Sequence, residues 1–202
     1  MLRAITFSFL CFFFIGCNSY MYKFSILSPK ESKTMEKPTE DEPFFTTMAY
    51  SDSLIDILFS ISGSEGCHGA TTAWEYGGID FQLFNKSDST ITVDWNKIFV
   101  IDPEGNSGNA VMHNGMKYND CSTIKPTTII PPHGKISDII LPCYGLRFFT
   151  GGQYGMTRWQ KKMLPFPDLV PSVTFGVYIP LIFGINQKVY SFSFKGDIAT
   201  KP

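Results

Sequence analysis

Apolar residues at every second position constrain this chain more than any other feature of it. In DSLIDILFSIS, Ile55, Ile57, Phe59 and Ile61 alternate with smaller or polar neighbours, and in GIDFQLFN the same holds for Ile79, Phe81 and Leu83. Successive side chains of an extended strand point to opposite faces, so a period of two marks a sheet with one buried face. The period returns at Ile91, Val93 and Trp95, and short apolar runs follow at Ile98–Ile101, Ala110–His113, Thr127–Ile130 and Ile136–Leu141. It is cleanest near the end, at Val173, Phe175, Val177 and Ile179, then Tyr190, Phe192 and Phe194. Turn chemistry separates these runs: Asn85-Lys86-Ser87-Asp88, Asp102-Pro103-Glu104-Gly105-Asn106 and Pro131-Pro132-His133-Gly134. Eight or nine short strands spaced about ten residues apart, with no amphipathic helical period, predict an all-β antiparallel sandwich or barrel. Trp95 falls in phase with the inward positions and is expected in the core.

The net charge of −1 leaves no electrostatic footprint for nucleic acid, and no block of like charge marks a membrane-binding patch. The N-terminus, MLRAITFSFLCFFFIGCNS, has a positive Arg3, a twelve-residue, largely apolar run from Ala4 to Ile15, and the small Gly16 before Cys17. A helix of that length rises about 18 Å, short of a ~30 Å hydrocarbon core, which suits a secretory signal better than a membrane span. Phe14-Ile15-Gly16-Cys17 resembles the lipobox of bacterial lipoproteins, with Phe14 where leucine is usual. That resemblance implies a signal peptide over residues 1–16, cleavage before Cys17, and a lipid on Cys17 that attaches the protein to the bilayer of the bacterial cell envelope. Asn18 in place of an aspartate leans the expected address towards the outer membrane.

Residues 28–43, SPKESKTMEKPTEDEP, are proline-rich and charged with one large apolar side chain, so residues 17–43 are read as a lipidated tether and 44–202 as the sandwich domain. Within the tether, YMYKFSIL at 20–27 is apolar enough either to lie on a bilayer or to add to a sheet edge. The strand, Pro-Pro-x-Gly turn, strand order over residues 79–198 resembles the immunoglobulin-like domains of bacterial envelope lipoproteins. VDWNKIFVIDPEGNSGNAVMHNGMKY, residues 93–118, is similar to a stretch found in bacterial lipoproteins with no assigned activity.

Residues 144–172 break the alternation and read as an irregular insertion rich in glycine, proline and aromatic residues. Phe148, Phe149, Arg158, Trp159, Lys161 and Lys162 make it the expected contact region for an envelope or extracellular protein partner. Of the cysteines beyond the signal, Cys121 and Cys143 flank the Pro-Pro turn and are the favoured disulfide, with Cys67 left over or replacing one of them. A Cys67 hydrolase would need a base, and the adjacent His68 is badly placed on an extended chain. His68, His113 and His133 show no metal-ligand spacing. Asp52, Asp56, Asp80 and Asp94 offer no distinguishable pair. The reading is a non-catalytic binding or structural module without cofactor. A metal or small-molecule binding protein is the alternative, and a Cys67 hydrolase the third reading.

Overall fold

The structure, a computed structural model, describes residues 21–29, 45–62, 65–68, 71–74, 78–108, 111–117, 120–143, 146–149, 158–161 and 171–199. Its strands are β1 (Met21–Ser28), β2 (Phe45–Ser51), β3 (Ile55–Ser62), β4 (Glu65–His68), β5 (Thr71–Trp74), β6 (Ile79–Asn85), β7 (Ile91–Val93) and β8 (Phe99–Ile101). Then follow β9 (Ser107–Gly108), β10 (Val111–Met112), β11 (Thr128–Ile130), β12 (Lys135–Pro142), β13 (Leu146–Phe149), β14 (Arg158–Lys161), β15 (Ser172–Phe183) and β16 (Asn186–Ala199). Two antiparallel sheets pack face to face as an all-β sandwich. The larger runs β1-β16-β15, where β15 pairs with β8 along one half and β7 along the other; β7 continues to β11 and β8 to β9. The smaller runs β10-β12-β6-β3-β2.

The alternation in the sequence is the alternation in burial. Ile79, Phe81 and Leu83 of β6 are buried while Asp80, Gln82 and Phe84 face out. Phe192 and Phe194 of β16 meet Phe59 of β3 across the sandwich, with Phe59 edge-on to Phe192 at 4.8 Å and to Phe194 at 5.1 Å, and Phe175 of β15 stacks on Phe194 at 5.2 Å. Such edge-to-face pairs stabilise beyond the area they bury. Trp95 is fully buried as expected, but in a single 3₁₀ turn, Trp95–Lys97, that interrupts the strand. Asp94 caps that turn through Asn96 N, and the indole Nε1 donates to Thr128 Oγ1 at 2.8 Å.

Two expectations are corrected. Residues 21–28 are not tether: Tyr22, Phe24 and Ile26 alternate into the core, and Met21–Ile26 pair with Ala199–Phe194 of β16. Sheet addition wins because those three side chains find apolar partners, Phe24 standing edge-on to Phe175 at 5.9 Å. The sandwich therefore starts at Met21 rather than 44, and the proline-rich segment joins β1 to β2 from within the domain. The insertion at 144–172 is also not wholly irregular, since β13 and β14 pair within it and Ser172 is the first residue of β15. Four-residue strands separated by eight residues are too short to display a period.

The sheets share one axial alignment. Phe24 N donates to Thr46 Oγ1 at one level, and six residues along each strand Tyr190 meets Asp52. Met21, Ala199, Ser172, Phe45, Ser62, Ile79 and Pro142 consequently lie at one end, called here the Met21 end. The hairpin β4–β5 connects Ser62 to Ile79, and β13–β14 connects Pro142 to Ser172, so both depart from and return to that end.

Candidate functional site

The outward face of the larger sheet carries a groove of about 370 Å³. Its cause is a missing side chain. Along β15 the outward positions are Thr174, Gly176 and Tyr178; opposite them on β16 stand Lys195, which is ion-paired with Asp197, Ser193 and Ser191, and opposite Gly176 and Tyr178 on β8 stand Ile101 and Phe99. Gly176 leaves a gap in this lattice that Ile101, Tyr178, Thr174, Ser191 and Ser193 surround. Phe99 stacks on Tyr178 with ring centroids 4.4 Å apart and planes at 11°, which covers one face of the phenol ring. The 102–105 turn forms one wall. Asp102 is committed to that turn, accepting from Glu104 N, Asn106 N and Asn106 Nδ2. The groove thus offers hydroxyls and an aromatic surface without a free charge.

At the opposite end from Met21, a polar clasp joins the sheets. Asp52, in the β2–β3 turn, accepts from Leu54 N (2.8 Å) and Ile55 N (2.9 Å) through Oδ1, and from Tyr190 Oη (3.0 Å) and Lys188 Nζ (2.7 Å) through Oδ2. Burial alone would raise the Asp52 pKa; the bonds from Lys188, the two amides and Tyr190 outweigh it and hold the carboxyl below its ordinary value. Burial, then the Asp52 charge, pushes the Tyr190 phenol well above the usual tyrosine range. Beside them Lys86 Nζ donates to Ser51 Oγ, the Asp52 carbonyl and Asp56 Oδ1. Every charge here has a partner, as a structural clasp requires.

The histidines are not brought together among the described residues. His113 stacks on Trp95 at 4.3 Å, with Nδ1 3.6 Å from Asp138 Oδ2, whereas His133 sits in the Pro131–Gly134 turn beside Asp88. No group of three His, Cys, Asp or Glu suited to a metal occurs among the described residues. Cys67 and His68 are consecutive positions of β4, opposite Thr72 and Thr71; their side chains lie outside the described part.

Cys121 and Cys143 are joined by a disulfide, Cα atoms 5.7 Å apart. Beside it Lys125 is buried, with Nζ on the carbonyls of Cys121 and Thr123, and burial lowers its pKa.

Of the expected contact residues, Phe148 pairs with Trp159 and Phe149 with Arg158 in the β13–β14 ladder, and Lys161 ends β14 opposite Leu146. Their side chains, like Cys17 and Lys162, lie outside the described residues. Local sequence signals neither the groove nor the clasp: the first depends on which residues flank Gly176, the second on a pairing 138 positions apart. No described helix is long and apolar enough to cross a membrane. No family model matches the chain, and no curated protein matches it.

Proposed function

We propose that the protein is a lipoprotein of the bacterial cell envelope, attached to the membrane through acylated Cys17, with its sandwich serving as a non-catalytic binding or structural module for an envelope partner. The observation that carries this reading is the N-terminal sequence: Arg3, then a largely apolar run from Ala4 that ends in Phe14-Ile15-Gly16-Cys17. The start of β1 at Met21 is compatible with it, because cleavage before Cys17 removes no part of any described strand. Mass spectrometry of the mature N-terminal peptide tests the anchor. A diacylglycerol-modified Cys17 is expected, and Cys17→Ala should abolish the modification and leave uncleaved precursor. A processed, membrane-bound product from Cys17→Ala overturns the reading.

The groove over Gly176 favours a second reading, a module for a small uncharged ligand rich in hydroxyls. Thr174, Ser191 and Ser193 can exchange hydrogen bonds with such a ligand while Tyr178 contacts its apolar face. Titration with neutral oligosaccharides should shift the Gly176 amide resonance in the native chain and not the corresponding one in Gly176→Val. An unmoved Gly176 resonance rules this reading out.

A further inference from the structure

The disulfide between Cys121 and Cys143 has a buried amine as its neighbour, and that amine lacks an anion. Lys125 is 5% exposed, and its Nζ donates to the carbonyls of Cys121 (3.0 Å) and Thr123 (3.1 Å). Among the described residues no carboxylate is ion-paired with it, and burial is the sole cause that lowers its pKa. Buried cations are ordinarily matched by a carboxylate; two carbonyl oxygens leave this charge uncompensated.

The amine is held in place by its own backbone. Lys125 N donates to Asn96 Oδ1 at 2.9 Å and Asn96 Nδ2 donates to Lys125 O at 2.8 Å, so the 3₁₀ turn at Trp95 grips the lysine main chain on both sides. Its side chain folds back over the 120–123 turn, which Thr123 N closes on Asp120 O. Cys143, the residue after β12, brings its Sγ to 3.7 Å from the Cys121 carbonyl oxygen, the same atom to which Lys125 Nζ donates. Both cysteines are half-buried rather than sealed in the core. The missing negative charge is the one that opening the disulfide creates, because a thiolate beside an ammonium ion is stabilised and leaves more readily.

We infer that Cys121–Cys143 is an exchangeable disulfide, a site that takes two electrons from a dithiol, with Lys125 as the cation that stabilises the departing Cys143 thiolate. One thiolate of the dithiol attacks Cys121 Sγ, the bond between the two Sγ atoms breaks, and its electron pair leaves on Cys143. The second sulfur of the dithiol, as thiolate, then attacks its partner sulfur in the mixed disulfide and releases Cys121. The dithiol ends as a disulfide; of its two protons, one passes to Cys121 and one to solvent, leaving Cys143 ionised against Lys125. Opening the bridge frees the chain that leads into β11, in the larger sheet, from the end of β12, in the smaller. Nothing in this step depends on the lipid at Cys17.

The test uses the full chain, folded and oxidised. Glutathione, a monothiol that halts the reaction at the first displacement, is quenched early with iodoacetamide, and peptide mass spectrometry reads Cys121 and Cys143 separately from Cys67. Glutathione is expected on Cys121 and the alkyl group on Cys143; the reverse placement refutes Cys143 as the leaving group. With reduced dithiothreitol the rate should rise in proportion to its concentration, and Lys125→Met should slow it about three- to tenfold. A lysine that only braces the turn predicts the opposite sign, since its loss loosens the 120–123 turn and exposes the bridge. An unchanged or faster rate in Lys125→Met therefore overturns the inference. So does a native-chain rate that levels off at the rate of global unfolding followed by circular dichroism, and that measurement, like the placement of glutathione, decides the matter even if Lys125→Met does not fold.

Discussion

The hydroxyl of Tyr190, on β16 of the larger sheet, donates to Oδ2 of Asp52, in the β2–β3 turn of the smaller sheet, at 3.0 Å. The same carboxylate organises its own turn through the amides of Leu54 and Ile55. One side chain therefore shapes a hairpin and fastens it to the opposite sheet. Asp52→Ala should destabilise the domain by about 2–3 kcal/mol, because it strands a buried phenol and two turn amides. Asp52→Asn, which keeps an oxygen for the amides, should lose less. Lys188→Met should lose under about 1 kcal/mol, since its side chain is 45% exposed. Urea denaturation of the three variants gives the order; equal losses from Ala and Lys188→Met would refute it.

The clasp also sets a pH window. Asp52 has a folded pKa below its ordinary 3.8, so its contribution is complete above that value and is lost as pH falls through it towards the lower folded value. Asp94, where the bonds from Asn96 and Lys97 overcome the effect of burial, adds to the same acid limb. Tyr190 is raised above 10.0, so its contribution is complete below that value and is lost as pH climbs beyond it towards the folded pKa. Melting temperature should be flat between about pH 5 and 9 and fall on both sides. Asp52→Asn should shallow the acid limb, and an acid limb identical to the parent's would show that other carboxylates govern it.

The parts of this fold that could be read from the sequence are those in which a strand is long enough to show its period. β3 and β6 bury every second residue, β16 does so from Tyr190 to Gly196, and β15 keeps the same phase while also burying Gly176 and Pro180, so the phase is legible from Ile57, Phe81, Val177 and Phe192. β2, FTTMAYS, mixes small and polar residues, and its pairing with β3 becomes visible only once β3 is placed. β1 was ambiguous because an apolar octet suits a bilayer surface or a sheet edge equally; the vacant edge of β16 decides it. The 3₁₀ turn at Trp95 keeps the residue inward while breaking the strand, a difference that burial pattern cannot reveal. The groove over Gly176 is set by pairing across three strands, β8, β15 and β16, and local sequence carries no record of that register.

Trp95 is wholly buried, and its one polar atom depends on Thr128. Thr128→Val preserves the shape of the partner and removes the acceptor, so the indole N–H stays buried unpaired. A loss of about 1–3 kcal/mol is expected, with little change in fluorescence maximum because the ring remains in the core. A neutral substitution would mean that the bond contributes nothing beyond packing.

The Cys121–Cys143 disulfide closes a loop of 22 residues that contains the Pro131–Gly134 turn and β11. Constraining a loop of that length in the unfolded chain contributes about 3 kcal/mol. Cys121→Ser with Cys143→Ser should therefore lower stability by about that amount, and the doubly substituted protein should become insensitive to reductant. A reductant-dependent melting temperature that survives the double substitution would place the sensitive bond elsewhere.

Gly196 decides whether β1 can seat. A Cβ built there would lie 2.6 Å from Cε1 and 2.9 Å from Cδ1 of Phe24, and 3.1 Å from Cγ1 of Val173. Phe24 is buried against Phe175 and cannot swing aside without disturbing the core. Gly196→Ala should therefore destabilise by about 1–3 kcal/mol through overpacking, and early proteolysis should strike within β1. Phe24→Leu removes the ring that the new methyl meets, yet alone it loses packing. If the clash is the cause, the double variant will be more stable than the sum of the two single losses implies, because each change relieves the other. Strict additivity would mean that Gly196 serves the backbone of β16 rather than the seat of β1.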